Sequence, residues 1–457
     1  MEHYENGLLI FRRDLRIEDN TALNYASKHC NNVYTLFNFT PEQVVNNPFK
    51  SNNAIHFMIE SLHSLQMSIS NHGGKLILLF GQNDKNLKKC INQLDIDAIF
   101  VNKDITPYST KRDNELLKIA KEYDIPVLFC DDYYIHQPGT ILSGIKKPYV
   151  KFTPYYITAK SNKHREPFTV SNLRLKSANI TGQITLESAL NRFGGEQSPE
   201  RLSIGGRKEG LKLLKQARQI RDYEATRNDL STQTTELSAH IKFGTVSIRE
   251  VYNAVSHNKS LVRQLYWRDF YAQLLYHNPN VLKESMRESL RDLRWENNNK
   301  FQKAWKEGRT GFPIVDAGMR QLNQTGYMHN RARLITASFL IKTLLQNWQV
   351  GEKYFAQLLT DYDPANNNGN WQWVASTGAD SQPYFRIFNP WLQGKENDPD
   401  AEYIKRWIPE LKTVPAKDIH NWEKVFENYE NIDYPEPIVN YEEQKQKALK
   451  MYRSALN

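Results

Sequence analysis

The sequence predicts two structural regimes in one chain: an N-terminal α/β domain on a doubly wound, mostly parallel (Rossmann-like) sheet, joined by a long connector to a C-terminal all-α domain. Three observations lead there. Short, near-continuous apolar runs alternate with amphipathic stretches over the first 130 residues, as expected of strands buried on both faces. From Gly206 onward helical periodicity takes over. All nine tryptophans lie between Trp267 and Trp422.

Taken in order, residues 8–11, 33–39, 76–80, 98–101 and 127–129 are apolar runs bounded by polar or turn residues, and each reads as a strand. Residues 55–69 and 112–121 between them have the length and periodicity of helices. This domain spans residues 1–130. In the connector, 131–203, Pro138-Gly139, Lys147-Pro148, Pro154, Pro167 and Gly194-Gly195 punctuate a basic, irregular stretch. Residues 204–457 form the helical domain. It opens with Leu211, Leu214 and Ala217 and later carries an apolar face of Ile335, Phe339, Leu340 and Leu344. The clusters at 297–299 and 366–368 read as asparagine-rich loops.

Length and composition limit the function classes. A chain of 457 residues with 40% hydrophobic and 24% charged residues supports two or three ordinary globular domains, and excludes a rod or wholesale disorder. No apolar run approaches the ~18 residues needed to cross a bilayer. The opening Met-Glu-His-Tyr-Glu does not resemble a secretory signal. Cys30, Cys90 and Cys130 cannot all pair with one another, so a reduced, cytoplasmic setting is expected. Residues 1–130 hold 14 Lys and Arg against 15 Asp and Glu, whereas the rest hold 46 against 36. A basic, aromatic-rich portion beside a neutral one suits a polyanion, nucleic acid first. There is no G-x-G-x-x-G, Walker A, H-E-x-x-H or G-x-S-x-G pattern, and the twelve histidines form no metal-like cluster. No metal is expected.

Three stretches could carry chemistry. In LVRQLYWRDFYAQLL, residues 261–275, a helix places Gln264, Trp267, Arg268 and Tyr271 on one face. A hydrogen-bonding amide, two flat rings and a cation suit a pocket that stacks on an unpaired base; the bland alternative is a mixed core with an Arg268–Asp269 ion pair. Residues 327–345 read as a second helix with Asn330, Arg333 and Leu334 on one face, where Arg333 needs a carboxylate or phosphate partner. Beyond it, Trp371 and Trp373 stand two apart at the start of a helix and so point to nearly opposite faces. The hydroxyl-rich run Thr234, Thr235, Glu236, Leu237 and Ser238 offers donors to a phosphate, or simply an N-cap.

Together these stretches resemble the photolyase/cryptochrome family. FRRDLRIEDNTAL at 11–23, TTELSAHIKFGTVS at 234–247, LYWRDFY at 265–271, GRTGFPIVDAGMRQL at 308–322, MHNRARLITASFLIK at 328–342 and ANNNGNWQWVASTGADSQPYFRIFNP at 365–390 carry the likeness, in the family's order. The subgroup most similar is the bacterial cyclobutane pyrimidine dimer photolyases. The resemblance implies FAD, a second antenna chromophore, ultraviolet-damaged DNA as partner, and a monomer with no obligatory protein partner. It implies flavin contacts from Tyr223, Thr234, Thr235, Glu236, Leu237, Ser238, Arg333, Asp361, Tyr362 and Asp363, with Asn367 facing the flavin N5 and Arg333 partnering Asp361. Trp371, Trp348 and Trp295 match an electron-transfer relay. Arg227, Gln264, Trp267, Arg268, Tyr271, Asn330, Arg331, Trp373 and Gln393 match substrate-side positions.

The chain also departs from that pattern. Gln264 stands where dimer photolyases have glutamate, and Leu334 where they have methionine. The (6-4) photolyases share the glutamine but place histidines at 330 and 334, where this chain has Asn330 and Leu334. Tyr327 replaces a family tryptophan outside the relay. Tyr108-Ser109 replaces the Asn-Glu of folate-type antennas, so NKDITPYSTKRD at 102–113 is more similar to members that bind a deazaflavin or a second flavin. Light-driven repair of cyclobutane dimers is therefore the expected activity, with a (6-4) photolyase or a cryptochrome-like photoreceptor as alternatives.

Overall fold

Each of the five apolar runs forms a strand, and together they make one all-parallel sheet ordered β3-β2-β1-β4-β5. The strands are β1 (Tyr4–Phe11), β2 (Cys30–Phe39), β3 (Leu76–Phe80), β4 (Ala98–Asn102) and β5 (Val127–Cys130). Side chains on both faces are buried: Leu9, Phe37, Leu78 and Phe100 pack on one side, Leu8, Leu36, Ile77 and Ile99 on the other. Two-sided burial explains why the strands read as continuous rather than alternating apolar runs. Helices Thr21–His29, Asn52–Asn71, Asn83–Leu94 and Pro107–Glu122 make the crossovers. β1 pairs with β2 on one side (Gly7 opposite Val33) and with β4 on the other (Gly7 opposite Ala98), so the strand order reverses beside β1. Gly7 is required there: a Cβ would lie 2.5 Å from the Cys30 sulfur.

The computed structural model describes residues 3–170 and 172–456; Met1 and Glu2, which open the polar N-terminus, lie outside them. The described residues form two compact units. The first contains the sheet, continues to Gln197, and also includes Ile204–Arg221 and Thr235–Pro279. A buried ion network explains why these later segments belong with the sheet. After β1, Arg16 meets Asp132 at 2.6 Å, and Arg249, from helix Ile248–Val255, meets Asp19 at 2.6 Å and Asp132 at 2.8 Å. With two guanidiniums beside it, the Asp132 carboxyl stays ionised well below the usual carboxylate range despite its burial. The stretch read as an irregular connector contains two helices, Phe152–Ser161 and Leu186–Phe193.

The second unit comprises Ser198–Ser203, Asp222–Thr234 and the residues from Asn280 on. It is helical, around a core in which Trp305, Phe312, Leu322, Leu340, Trp348, Trp371 and Trp422 are buried. Helices Pro313–Thr325, Asn330–Ser338, Trp348–Leu358, Pro364–Val374 and Tyr441–Leu456 frame it. The helix expected over 327–345 is shorter. His329 caps it by accepting from the Arg331 N–H, and after Ser338 it loosens into a π turn, Phe339–Thr343. That extra residue per turn directs Lys342 inward, where it is fully buried and its Nζ donates to Ser376 Oγ and the Arg386 carbonyl.

Candidate functional site

Helix Pro364–Val374 organises the second unit's polar centre. The asparagine-rich segment 366–368 is inside this helix, not on a loop. Asp363 caps it, its Oδ1 accepting from Asn366 N at 3.0 Å, and Pro364 supplies the first helical residue. For the same reason Trp371 and Trp373 sit in the last turn, not the first. Inside the helix, Asn367 Nδ2 donates to the Glu352 carbonyl at 3.0 Å and Asn368 Nδ2 to the Glu352 carboxyl at 2.9 Å. Glu352 is buried, and burial pushes its pKa up to about 7, only partly offset by Asn368. Beside this centre, Arg333 Nη2 pairs with Asp361 Oδ2 at 2.9 Å while Arg333 Nε donates to the Met328 carbonyl. The other carboxylate oxygen, Asp361 Oδ1, is buried without a hydrogen-bond donor. Burial also raises the Tyr362 phenol. Thr234 and Tyr327 meet through their hydroxyls at 3.1 Å, and Tyr223 is half-buried.

The three tryptophans matched to a relay by resemblance differ in exposure. Trp371 and Trp348 are 2% exposed, whereas Trp295 is half-buried and edge-on to Tyr452. Trp371 packs edge-on to Phe355 at 4.9 Å between centroids, and against Gly351 one turn after Trp348. A Cβ at Gly351 would come 2.1 Å from the indole, so only glycine admits the ring against this helix.

A cationic group lies on the same unit. Arg331 Nη2 donates to Asn228 Oδ1 at 2.6 Å and Nη1 reaches Gln393 Oε1 at 3.4 Å, while Arg227 pairs with Glu224. Arg227 Nε and Arg331 Nε are buried and unpartnered, and burial together with the neighbouring Arg227 lowers the Arg331 pKa. Such surplus donors suit phosphate oxygens. Asn330 is exposed and Trp373 half-buried.

On the first unit, helix Lys259–His277 only partly matches its sequence reading. Trp267 is half-buried and lies parallel to Phe152, 3.7 Å away with planes 6° apart. Gln264 Nε2 donates back to the Ser260 carbonyl at 3.3 Å. Arg268, however, pairs with Asp269 and covers the Tyr134 ring, and Tyr271 is buried beside Trp267, so these two side chains do structural work. Asp269 itself accepts from Ile135 N and His136 N, and burial lifts its pKa to about 6. In the hydroxyl run, Leu237 is core, Ser238 is exposed, and Glu236 takes a left-handed backbone (φ +51°). No side chain caps the short helix that follows, which removes the simple N-cap reading.

A further cluster sits where the strand order reverses, at the carboxyl ends of β1 and β4, where open parallel sheets bind ligands. Arg12 pairs with Asp113 at 2.5 Å; Arg112 lies 3.6 Å from the same carboxylate and covers Tyr108, whose hydroxyl meets Thr40. Arg12 Nε and Nη1, Arg112 Nη2 and the Tyr133 hydroxyl are buried with no hydrogen-bond partner. Burial, then the positive Arg12 beside it, lowers the Arg112 pKa. Two buried guanidiniums with unused donors are a receptor for an anionic group. Sequence reading singled out 102–113 by likeness alone. The weight of Arg12, nearly a hundred residues away, comes from the topology.

Residues 8–172 match the family model described as DNA photolyase, and residues 261–454 match the FAD binding domain of DNA photolyase. The chain belongs to the DNA photolyase family. It is 35% identical over 467 residues to a deoxyribodipyrimidine photo-lyase of Alkalihalophilus pseudofirmus, covering 97% of both chains. It is also similar to an archaeal photolyase from Sulfolobus tokodaii, described with two FAD molecules that imply a novel light-harvesting cofactor. That likeness has a TM-score of 0.90 and 41% identity, over 98% of this chain and 100% of that one. A Synechocystis cryptochrome superposes equally well, TM-score 0.90 over 99% and 100% of the two chains, at 26% identity. Photolyases and cryptochromes thus share this fold, and specificity resides in side chains.

The photolyase family's FAD fits what the second unit presents. A buried carboxylate oxygen lacking a donor, with its partner oxygen already held by arginine, is complementary to the N–H donors of a nitrogen heterocycle. Among the described residues no group of three His, Cys, Asp or Glu could hold a metal, and no helix is long and apolar enough to cross a membrane. All three cysteines are free, with burial pushing their thiols up to about 12.

Proposed function

We propose that the protein repairs cyclobutane pyrimidine dimers in DNA with blue light, using reduced FAD. What carries this reading is helix Pro364–Val374. It places Asn367 one turn before the buried Trp371, in a helix that begins three residues after Asp361 with its one unpartnered carboxylate oxygen, within the segment matching the FAD-binding domain. Reduced FAD, when bound, supplies on illumination the electron that opens the dimer. The chain's own residues do the rest. Arg333 holds one oxygen of Asp361 and leaves the other open as an acceptor. Tyr223, Thr234, Tyr362 and Asp363, on the same unit, complete the proposed flavin contacts; Thr235, Glu236, Leu237 and Ser238 are carried by the family resemblance alone. Trp295, Trp348 and Trp371 pass electrons inward from the surface, since indole is oxidised reversibly and is held here by packing.

Photolyases are among the enzymes that extrude their target from the duplex, at a penalty smallest for a damaged pair. In this reading Arg227, Arg331 and Gln393 grip phosphates irrespective of sequence. Gln264 and Trp267 meet the flipped dimer, with Tyr271 packed beside Trp267; Asn330, Trp373 and Arg268 are carried as lesion-side positions by the family resemblance alone. Residues 1–130 serve as the antenna domain, 131–203 as the connector and 204–457 as the FAD- and DNA-binding part of a monomer. The Arg12–Arg112 cluster supports a phosphate-bearing flavin as the antenna, in keeping with the two FAD molecules described for the Sulfolobus tokodaii photolyase.

The test is chemical. Protein with chemically reduced flavin is mixed with an oligonucleotide carrying one thymine cyclobutane dimer, illuminated at blue wavelengths, and assayed for restored thymines. Repair confined to (6-4) lesions would move the substrate. No repair of either lesion by flavin-loaded protein would favour a photoreceptor.

A further inference from the structure

Phe152 opens a helix in the segment that reads from sequence as irregular, and none of the flavin or lesion assignments uses it. Its ring is 1% exposed and lies parallel to Trp267, 3.7 Å between centroids and 6° between planes. Phe270 meets Phe152 edge-on at 5.7 Å and 77°, and the Arg263 guanidinium covers both Phe152 at 5.3 Å and Tyr156 at 5.6 Å. Trp267 is thus backed by a ring that is itself immobilised on several sides, while the indole stays half-exposed. An aliphatic side chain would fill the same space but would not define the plane of the indole. Near-parallel overlap over a buried phenyl does, because tilting the indole forfeits both dispersion and the stacked geometry.

We propose that Phe152 is a positioning residue for lesion recognition: it fixes the plane of Trp267 so that the open part of the indole stacks on an extruded pyrimidine dimer. The proposal rests on the assignment of Trp267 to the lesion. Its consequence is selective. Stacking acts only on a base taken out of the duplex, whereas phosphate contacts act on damaged and intact DNA alike. Phe152 therefore affects discrimination and leaves baseline affinity alone.

The experiment measures dark binding of the full, flavin-loaded chain to matched oligonucleotides with and without one thymine dimer. Phe152→Leu should weaken binding to the dimer by about 5- to 20-fold, a fraction of what a lost base–aromatic stack is worth, and leave intact DNA within about twofold. Phe152→Tyr, which keeps the ring, should retain the wild-type ratio. Phe152→Met, flexible and also without a ring, takes the place of Phe152→Leu if that variant does not accumulate with flavin bound. In a Trp267→Ala background the ring-less variant should cost nothing further, the non-additivity expected of residues acting through one another. An unchanged ratio in Phe152→Leu or Phe152→Met, with Trp267→Ala collapsing it, overturns the proposal. So does an equal loss with and without Trp267. If Trp267→Ala leaves the ratio unchanged, it is the lesion assignment of Trp267 that fails, and Phe152 loses its role with it.

Discussion

Glu352→Gln should stabilise the protein at neutral pH and do almost nothing in mild acid. Glu352 is 5% exposed, its carboxyl accepts from Asn368 Nδ2, and among the described residues no cation pairs with it. Burial raises its pKa from 4.5 to about 7. Since the folded-state pKa is the higher one, the native protein binds more protons than the unfolded chain between these values. Stability therefore falls as pH rises from about 4.5 through 7, and the full penalty persists above. A difference of about 2.5 units is worth about 3 kcal/mol. Glutamine keeps an acceptor for Asn368 and never ionises, so it avoids that penalty. Urea unfolding of the flavin-loaded protein, followed by tryptophan fluorescence from pH 5 to pH 8, checks this. The variant's advantage should be below about 1 kcal/mol at pH 5 and reach about 3 kcal/mol near pH 7.5. At an m-value of roughly 2–3 kcal/mol/M that is a midpoint shift of about 1 M. A difference independent of pH, or a variant less stable at pH 8, would show that Glu352 is solvated or paired with a cation in solution.

Trp295→Phe should leave FAD bound and dark DNA binding unchanged, but slow photoreduction of oxidised flavin sharply, as read by absorbance under blue light with a thiol donor. Repair by chemically pre-reduced protein should persist. Arg112→Gln combined with Arg12→Gln should release any second chromophore, seen as loss of its absorbance and of excitation transfer, while FAD content and repair under direct flavin excitation remain. Asp361→Asn removes the charge that Arg333 neutralises at 2.9 Å, a loss of about 1–3 kcal/mol, and should yield protein that sheds FAD on gel filtration.

The sheet was legible because burial on both faces writes each strand as an uninterrupted apolar run, and the crossover helices followed from their periodicity. Less legible were features set by single capping residues or by topology. The segment 366–368 reads as a loop by composition, yet Asp363 and Pro364 just before it are a helix start and outweigh the poor helix propensity of asparagine. The π turn at Phe339–Thr343 has no sequence signature and becomes visible only when Lys342 is found facing inward. On helix Lys259–His277 the periodicity put four residues on one face correctly, but what faces them comes from residues 134–152, more than a hundred positions earlier. Hence Arg268 is engaged by Asp269 and Tyr134 and Tyr271 is buried, while Gln264 and Trp267 stay half-buried.

Gln264 is the departure with most bearing on the substrate, and the structure gives glutamine a reason to be there. Its Nε2 donates to the Ser260 carbonyl one turn back, which ties the side chain to its own helix and leaves Oε1 as the outward acceptor. A carboxylate could not make that tie, because both of its oxygens would face a carbonyl oxygen with no proton between them. In the proposed lesion site the glutamine would offer a neutral acceptor to an imide N–H of the dimer. Glutamate would offer a stronger acceptor, held less firmly. Gln264→Ala removes the acceptor and leaves a lesion donor unpaired, costing about 1–3 kcal/mol. Dark affinity for dimer-containing DNA should drop on the order of tenfold to a hundredfold, with intact DNA unaffected because phosphate contacts are untouched. Gln264→Glu should fall between, since charge-assisted bonding compensates for the lost tether. If Gln264→Ala leaves dimer affinity and repair yield at wild-type levels, the amide is only a helix-surface tie. Lesion recognition on this helix would then rest on Trp267 alone.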